Sequence, residues 1–379
     1  MGNKTNKKPF IFIFIGLLIM LGTVYYVIYY SVNNMKKADN HKNVSATKEV
    51  TAKVSKEKAK KDTYSQVLIS FSGDSTIGHD SNFNFANSLP DVLGKNNNDL
   101  SYFYKNVLPI FKKDDITITN LETTFTNSKE KAKKDFNFKA DPSYAEALSL
   151  GSIEGVNLSN NHIYDYKKKG FEDTIKALKH NNINFFGQGN IWVKQIKGIK
   201  FGFLGYLAFN DTSEFRAKIK EDIKKLKNDG CMAIINFHWG IESNYYPIEM
   251  QTNLAHFAID NGADLIIGHH PHVIQGIEKY KNKFICYSLG NFCFGGNFNP
   301  KDKDTFIFQI KYKFKDNKAI SYGVKAIPCS ISSVDYINDY CPTPLKGDNK
   351  ARVLKKINKL SPNCNFKISD EFYNIDVKN

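Results

Sequence analysis

Residues 265–275 read LIIGHHPHVIQ. Leu265–Ile267 is a short apolar, β-rich run, and Gly268 ends it. Three histidines, His269, His270 and His272, then fall within four positions. Imidazoles that dense, directly after an apolar run, are poor core residues, because every ring brings nitrogens that need partners. They read instead as metal or anion contacts at the end of a strand.

The same grammar recurs along the chain. VLISFS (Val67–Ser72) runs into Asp74, ITITN (Ile116–Asn120) into Glu122, and GVNL (Gly155–Leu158) into Asn160, Asn161 and His162. MAIINF (Met232–Phe237) runs into His238, and FICYS (Phe284–Ser288) into Asn291. FGFLGY (Phe201–Tyr206) is a further strand-like run. Between them, residues 170–181 predict a helix with Phe171, Ile175 and Leu178 on one face, and residues 248–260 another with Leu254, Phe257 and Ala258. Short strands alternating with helices predict an α/β fold. In open α/β sheets the ligand crevice lies beyond the carboxyl ends of the strands. Six strand ends therefore predict one pocket built from residues far apart in sequence.

Taken singly, most members have plainer readings. Gly73-Asp74 reads as a turn, Glu122 as a partner for a lysine, Asn160-Asn161 as a turn, and His238 as a packed histidine. The segment GHHPHV resists that treatment, and the plain readings must all hold at once at six strand ends. Carboxylate and amide oxygens with several imidazoles, and no cysteine among them, suit Mn, Zn or Fe. A carboxylate can bridge two ions that activate water and clamp an ester oxyanion. A histidine outside the ion's shell, His162, could protonate a leaving group. His79 is near enough to Asp74 to line the site without ligating, whereas His180 and His256 lie on helical patterns as surface or packing residues. The turn Gly187-Gln188-Gly189 borders the crevice and is too slight for a phosphate cradle.

The N-terminal residues carry a different message. No charged residue occurs from Phe10 to Tyr30, enough for a helix across a bilayer. Lys4, Lys7 and Lys8 precede it and favour a cytoplasmic N-terminus. The run is longer than a signal-peptide core and lacks an A-x-A site, so an uncleaved anchor is expected. Residues 31–63 are too polar to bury a core and read as a stalk. The expected order is a cytoplasmic tip (1–9), a membrane span (10–30), the stalk, and a globular part outside the cell membrane. Of the formal charge of +15, residues 1–62 carry about half, with 12 Lys against 4 acids. Only Arg216 and Arg352 are arginines among 53 basic residues, which argues against a nucleic-acid reader and suits an anionic envelope polymer. Six cysteines form no C-x-x-C pair; Cys231, Cys286 and Cys293 read as core, and Cys329, Cys341 and Cys364 leave room for one bridge.

Six ordered motifs carry a family resemblance: GD (Gly73-Asp74), NLE (Asn120 to Glu122), NNHxxDY (Asn160 to Tyr166), HWGxE (His238 to Glu242), GHHPHVxQ (Gly268 to Gln275) and SLGNF (Ser288 to Phe292). Together they resemble the CapA family of capsule or poly-γ-glutamate biosynthesis proteins, which have a calcineurin-like metallophosphatase fold. The resemblance covers about residues 67–295. It implies an α/β architecture, a metallophosphatase-like two-sheet β-sandwich flanked by helices, over residues 64–328, with 329–379 as a C-terminal extension. It further implies Asp74, Glu122, Asn161, His238, His270 and His272 as ligands of one or two divalent ions, with His162 as catalytic acid. His269, Asn160, Asp165, Glu242 and Asn291 would line the site. The register between His269 and His270 stays open. Metallophosphatases generally begin D-x-H, whereas this chain has Asp74-Ser75-Thr76 and so lacks one nitrogen ligand. Three functions follow as expectations: a membrane-anchored component of anionic polymer assembly working with membrane synthase subunits, a metal-dependent phosphoesterase, or a scaffold that keeps the fold without the chemistry.

Overall fold

Alternation along the strands sets the architecture. In Met232–Trp239, Ile234 enters one apolar cluster while Ala233, Ile235, Phe237 and Trp239 enter another. Successive side chains point to opposite faces, so a strand with two apolar rows is covered on both sides. The computed structural model describes residues 63–377. The expected tip, membrane span and nearly all of the stalk lie outside the described residues. Among the described residues no helix is long and apolar enough to cross a membrane.

Two sheets dominate. One has nine strands, with a central order Thr343–Pro344, Lys318–Ser330, Asp304–Lys315, Tyr64–Thr76, Ile116–Leu121, Gly155–Asn157 and Asn184–Phe186. The strand Asn291–Phe294 pairs with Tyr64–Thr76, and Tyr373–Asp376 pairs with Lys318–Ser330. The second sheet has six strands, in the order Ile277–Tyr280, Lys283–Cys286, Leu265–His269, Met232–Trp239, Ile199–Ala208 and Trp192–Ile196. The sheets face each other across one cluster, to which Ile69, Phe71 and Ile118 contribute from the first and Phe203, Ile234 and Ile267 from the second. Helices cover the outer faces. Lys167–His180 and Glu146–Leu150 pack on the nine-stranded sheet, and Ser213–Asn228 and Glu249–Asp260 on the other. The architecture is thus a mixed α/β fold with a sandwich of two sheets between helices. A small third sheet joins His79–Asp80, Phe138–Ala140 and Thr124–Phe125.

Two sequence expectations change, on the helix stripe and on the cysteines. The first helix buries Gly170, Thr174, Ala177 and Leu178, so its inward stripe is centred on small residues, with Phe171 and Ile175 only half-buried beside it. Its close approach lets the Thr174 hydroxyl accept from the Phe125 backbone N–H at 2.9 Å. The C-terminal region carries regular elements of its own, with its prolines near their ends. Pro328 pairs within Lys318–Ser330, and the helix Gly347–Leu360 sits between Pro344 and Pro362, with Val353, Ile357 and Leu360 in the inter-sheet core. Arg352 on that helix forks onto the Asp304 carboxylate at 2.7 and 2.8 Å. All six cysteines are free thiols, and five of them are buried.

Candidate metal centre

The row that faces the inter-sheet core changes character at the carboxyl ends of the strands. Ile116 and Ile118 are followed on the same face by Asn120, Ile234 by Asn236 and His238, and Leu265 and Ile267 by His269. Within each sheet these strands are parallel, so their polar ends share an edge. The close approach there depends on small residues. A Cβ on Gly73 would lie 1.9 Å from the Gly290 carbonyl oxygen, the atom that accepts from the Asp74 N–H at 2.9 Å. After the Leu265–His269 strand the backbone adopts φ of 96° at His270 and 58° at His272. Such values are strained for residues with a side chain and collect at functional sites.

Asp74 is fully buried and crowded by donors. Its Oδ1 accepts from Asn120 Nδ2 at 2.9 Å and lies 3.1 Å from His269 Nδ1. Its Oδ2 accepts from the His270 backbone N–H at 3.1 Å and lies 3.4 Å from His272 Nδ1. Burial alone would push this carboxyl up, but the imidazoles of His269 and His272 hold it well below the usual carboxylate range. Glu122 is equally buried, yet neither carboxylate oxygen has a hydrogen-bond partner. His238 Nε2 stands 3.5 Å and His272 Nε2 3.8 Å from Glu122 Oε1. Burial, with His272 only partly offsetting it, raises the Glu122 carboxyl well above its ordinary value.

The histidines differ in their surroundings. His238 is fully buried; Asn120 sits 3.3 Å from its Nδ1 and the Asn161 Oδ1 2.8 Å from its Nε2. Burial, then the neighbouring His270, holds it well below the ordinary imidazole value. His270 is pushed down to about 4 by burial, its Nδ1 has no partner, and its ring centre is 4.7 Å from that of His238. His272 contacts Asn291 Oδ1 at 2.8 Å, and the carboxylates of Glu122 and Asp74 outweigh its burial and raise it to about 10. His269 Nε2 contacts Asn236 Oδ1 at 3.2 Å.

These side chains form two overlapping sets, Glu122 with His270 and His272, and Asp74 with Glu122 and His238, each with its donor atoms within 4.8 Å of one another. Glu122 belongs to both. A buried carboxylate with no hydrogen bond, beside the imidazoles of His238 and His270 that burial holds neutral, costs free energy that a bound cation would offset. The donor set therefore fits a divalent ion. His270 and His272 join these sets, while His269 lies against Asn236 and Asp74.

His162 lies outside the two sets, in the cleft beside them. Its Nδ1 contacts Asp165 Oδ2 at 2.7 Å, and burial, opposed by Asp165, lowers its pKa. Asp165 is itself buried, accepting from the Phe138 N–H at 2.6 Å and from Lys134 Nζ at 2.6 Å. Asn160 ties this loop to the cluster by donating to the Leu121 carbonyl at 2.8 Å and accepting from the His162 N–H at 3.0 Å. Glu242 lines the same cleft. His79 sits on the small third sheet, and the Gly187–Asn190 turn lines a separate pocket with Tyr206 and Phe215. His256 pairs with Glu278 at 3.0 Å and stacks on Tyr280.

Sequence reasoning missed Asn120 and Asn236 as site residues, although their place on the inward rows would have revealed them. Lys134 gave no signal. It is one of four lysines between residues 129 and 134, and its contact with Asp165 crosses 31 positions.

Residues 68–296 match the family described as "Bacterial capsule synthesis protein PGA_cap". The chain belongs to this family. It is 30% identical over 286 residues to the capsule biosynthesis protein CapA of Bacillus anthracis, covering 68% of this chain and 67% of that one. It is 28% identical over 301 residues to the PGA biosynthesis protein CapA of Bacillus subtilis (strain 168), covering 72% and 75%. A purple acid phosphatase from yellow lupin seeds overlaps 75% of this chain and 55% of its own at 7% identity, with a TM-score of 0.33. The PGA_cap match spans every residue of the two metal-type sets.

Proposed function

We propose that this member of the capsule synthesis family works at the outer face of the cell membrane, anchored through residues 10–30. There it would handle an anionic, poly-γ-glutamate-type polymer alongside membrane synthase subunits, with no role for nucleic acid. We further propose that Asp74, Glu122, Asn161, His238, His270 and His272 hold one or two divalent ions, Mn, Zn or Fe. The observation that carries this reading is the buried Glu122 carboxylate, without a hydrogen-bond partner and shared by both ligand sets.

A metal-dependent phosphoesterase activity is the second reading, and the His162–Asp165 pair favours it. A divalent ion would supply Lewis-acid activation of water and of an ester oxygen. His162 is oriented by Asp165 through Nδ1, which leaves Nε2 to hand a proton to a leaving oxygen. Lys134 and the Phe138 N–H keep Asp165 in place. The ring centre of Phe209 lies 4.8 Å from that of His270.

Elemental analysis of the full-length protein should find Mn, Zn or Fe, depleted in His270→Ala. With a generic aryl phosphate, His162→Ala should lower turnover by about 100-fold while keeping the metal. A metal-free protein that still supports polymer formation would refute the metal centre. A metal-bearing protein with no turnover leaves the scaffold as the correct account.

A further inference from the structure

Along Asp304–Lys315 the row facing the inter-sheet core stays apolar throughout, as Phe306, Phe308, Ile310, Tyr312 and Phe314. The opposite row changes. Ile307 belongs to the cluster under the outer helices and Gln309 is buried, but half-buried Lys311, Lys313 and Lys315 follow. Residues directly opposite each other in antiparallel pairs share a face. Lys325, opposite Gln309, and exposed Tyr64, opposite Lys315, therefore belong to the same surface. Phe372 completes it, with the ammonium groups of Lys311 and Lys325 at 4.0 and 4.7 Å from its ring centre. On these strands the helical cover stops at Gln309, and beyond it the outer face is a patch of lysines and aromatic rings.

Charge and position together say what this patch meets. Among the described residues, Lys311, Lys313 and Lys325 have no carboxylate within ion-pair distance. Of the acids around them, Asp370 is held by Lys350 at 2.8 Å and Asp316 accepts from the Thr63 N–H at 3.1 Å. That leaves Glu371 and Asp376 against Lys113, Lys311, Lys313, Lys315 and Lys325, a surplus of positive charge that suits an anionic partner. The patch also lies where the fold begins. Tyr64 opens the first strand, directly after residues 1–62 with their uncharged run Phe10–Tyr30, and the Thr63 N–H and hydroxyl both bond Asp316 Oδ1 at this corner. Asp74 stands toward the other end of that strand, about 30 Å away at ~3.3 Å per residue, so a surface meeting the patch leaves the metal-type cluster open. A soluble anionic chain would meet the same lysines, but the rings and the entry of the chain favour lipid. Lysine stems lie along apolar surface with their ammonium groups among headgroups, and aromatic rings sit at the same depth.

We infer that the sheet face bearing Lys311, Lys313 and Lys325 lies against the anionic lipid headgroups of the membrane that holds the chain. The inference rests on the proposed anchoring through residues 10–30 and names the surface that anchoring brings to the bilayer. The test is lysine acylation, read by mass spectrometry, of the full-length protein in nanodiscs of phosphatidylcholine alone or with phosphatidylglycerol. With phosphatidylglycerol, Lys311, Lys313 and Lys325 should react about tenfold more slowly than in phosphatidylcholine, and high salt should remove the difference. Lys220 and Lys224, on the helix Ser213–Asn228 that covers the other sheet, should react alike in both discs. A variant carrying Lys311→Gln, Lys313→Gln and Lys325→Gln should lose the protection of Lys315, and unchanged rates at Lys220 and Lys224 would show its fold intact. Equal rates at the three lysines in the two kinds of disc overturn the inference, and so does equal slowing of Lys220 and Lys224. Stronger protection by soluble poly-γ-glutamate in phosphatidylcholine discs also overturns it, and would make the patch a polymer contact. Protein that separates from phosphatidylcholine discs removes the anchor alone, because the lysine footprint on phosphatidylglycerol discs still decides this inference.

Discussion

The middle of the sandwich and its carboxyl edge are built on the same strand faces and are equally dry, yet they are opposites in chemistry. Phe203, Ile234 and Ile267 fill the middle with no polar atom, while Asp74, Glu122 and His238 fill the edge, all at 0% exposure. In the middle, burial itself supplies the stabilisation. At the edge, burial works against the folded state, and only hydrogen bonds or a bound cation can offset it. Asp74 has its donors; Glu122 has none. The difference teaches that the edge is held in place by the middle and is organised for something other than stability.

Cutting into the middle is the strongest way to break this contrast. Phe203 packs against Trp192 at 4.8 Å and Phe186 at 5.7 Å between ring centres. Phe203→Ala should cost about 3–5 kcal/mol in urea unfolding, with or without added metal. A loss that disappears when metal is added would show that the two regions are not independent.

Removing the edge charge should do the reverse. Glu122→Gln is expected to stabilise the metal-free protein by about 1–2 kcal/mol and to abolish the stabilisation that metal gives wild type. Because the folded Glu122 carboxyl is raised above its unfolded value, its contribution is present at low pH and lost as pH rises. The gain should therefore be larger at pH 8 than at pH 5, as thermal melts would record. A destabilised metal-free variant would mean that the carboxylate is satisfied in a way the contacts do not reveal.

The amino end of the sheet offers the smallest and sharpest contrast. Asp114, just before the Ile116–Leu121 strand, is raised by burial to about 7 and accepts from Thr117 Oγ1 at 2.7 Å. Its unfolded value is about 4, so the folded state keeps the proton longer and stability falls as pH climbs through 7. Asp114→Asn should flatten that slope and leave the variant roughly 1 kcal/mol ahead at pH 8. An unchanged slope would assign the pH dependence to other groups.

Much of this was legible before any coordinates. Each apolar run named in the sequence overlaps a strand, and ligand-type residues after those runs do meet at one edge. The helix stripe on 167–180 was misplaced because Gly170 and Thr174 give no hydrophobic signal, yet their small size is what lets the helix approach. The helix Gly347–Leu360 carries no motif, and its place in the inter-sheet core depends on contacts with distant strands.

Sequence by itself determined the strand runs, the polar residue at each carboxyl end, and the family's ordered motifs, because these are local patterns of side-chain type. Only the tertiary structure decided that His270 rather than His269 faces Glu122, that Lys134 holds Asp165, and that Phe136 stands open over the cleft. The reason is physical: a ring's direction depends on the φ angle of its own residue and on which strand lies beside it, and neither is written in the order of neighbouring letters.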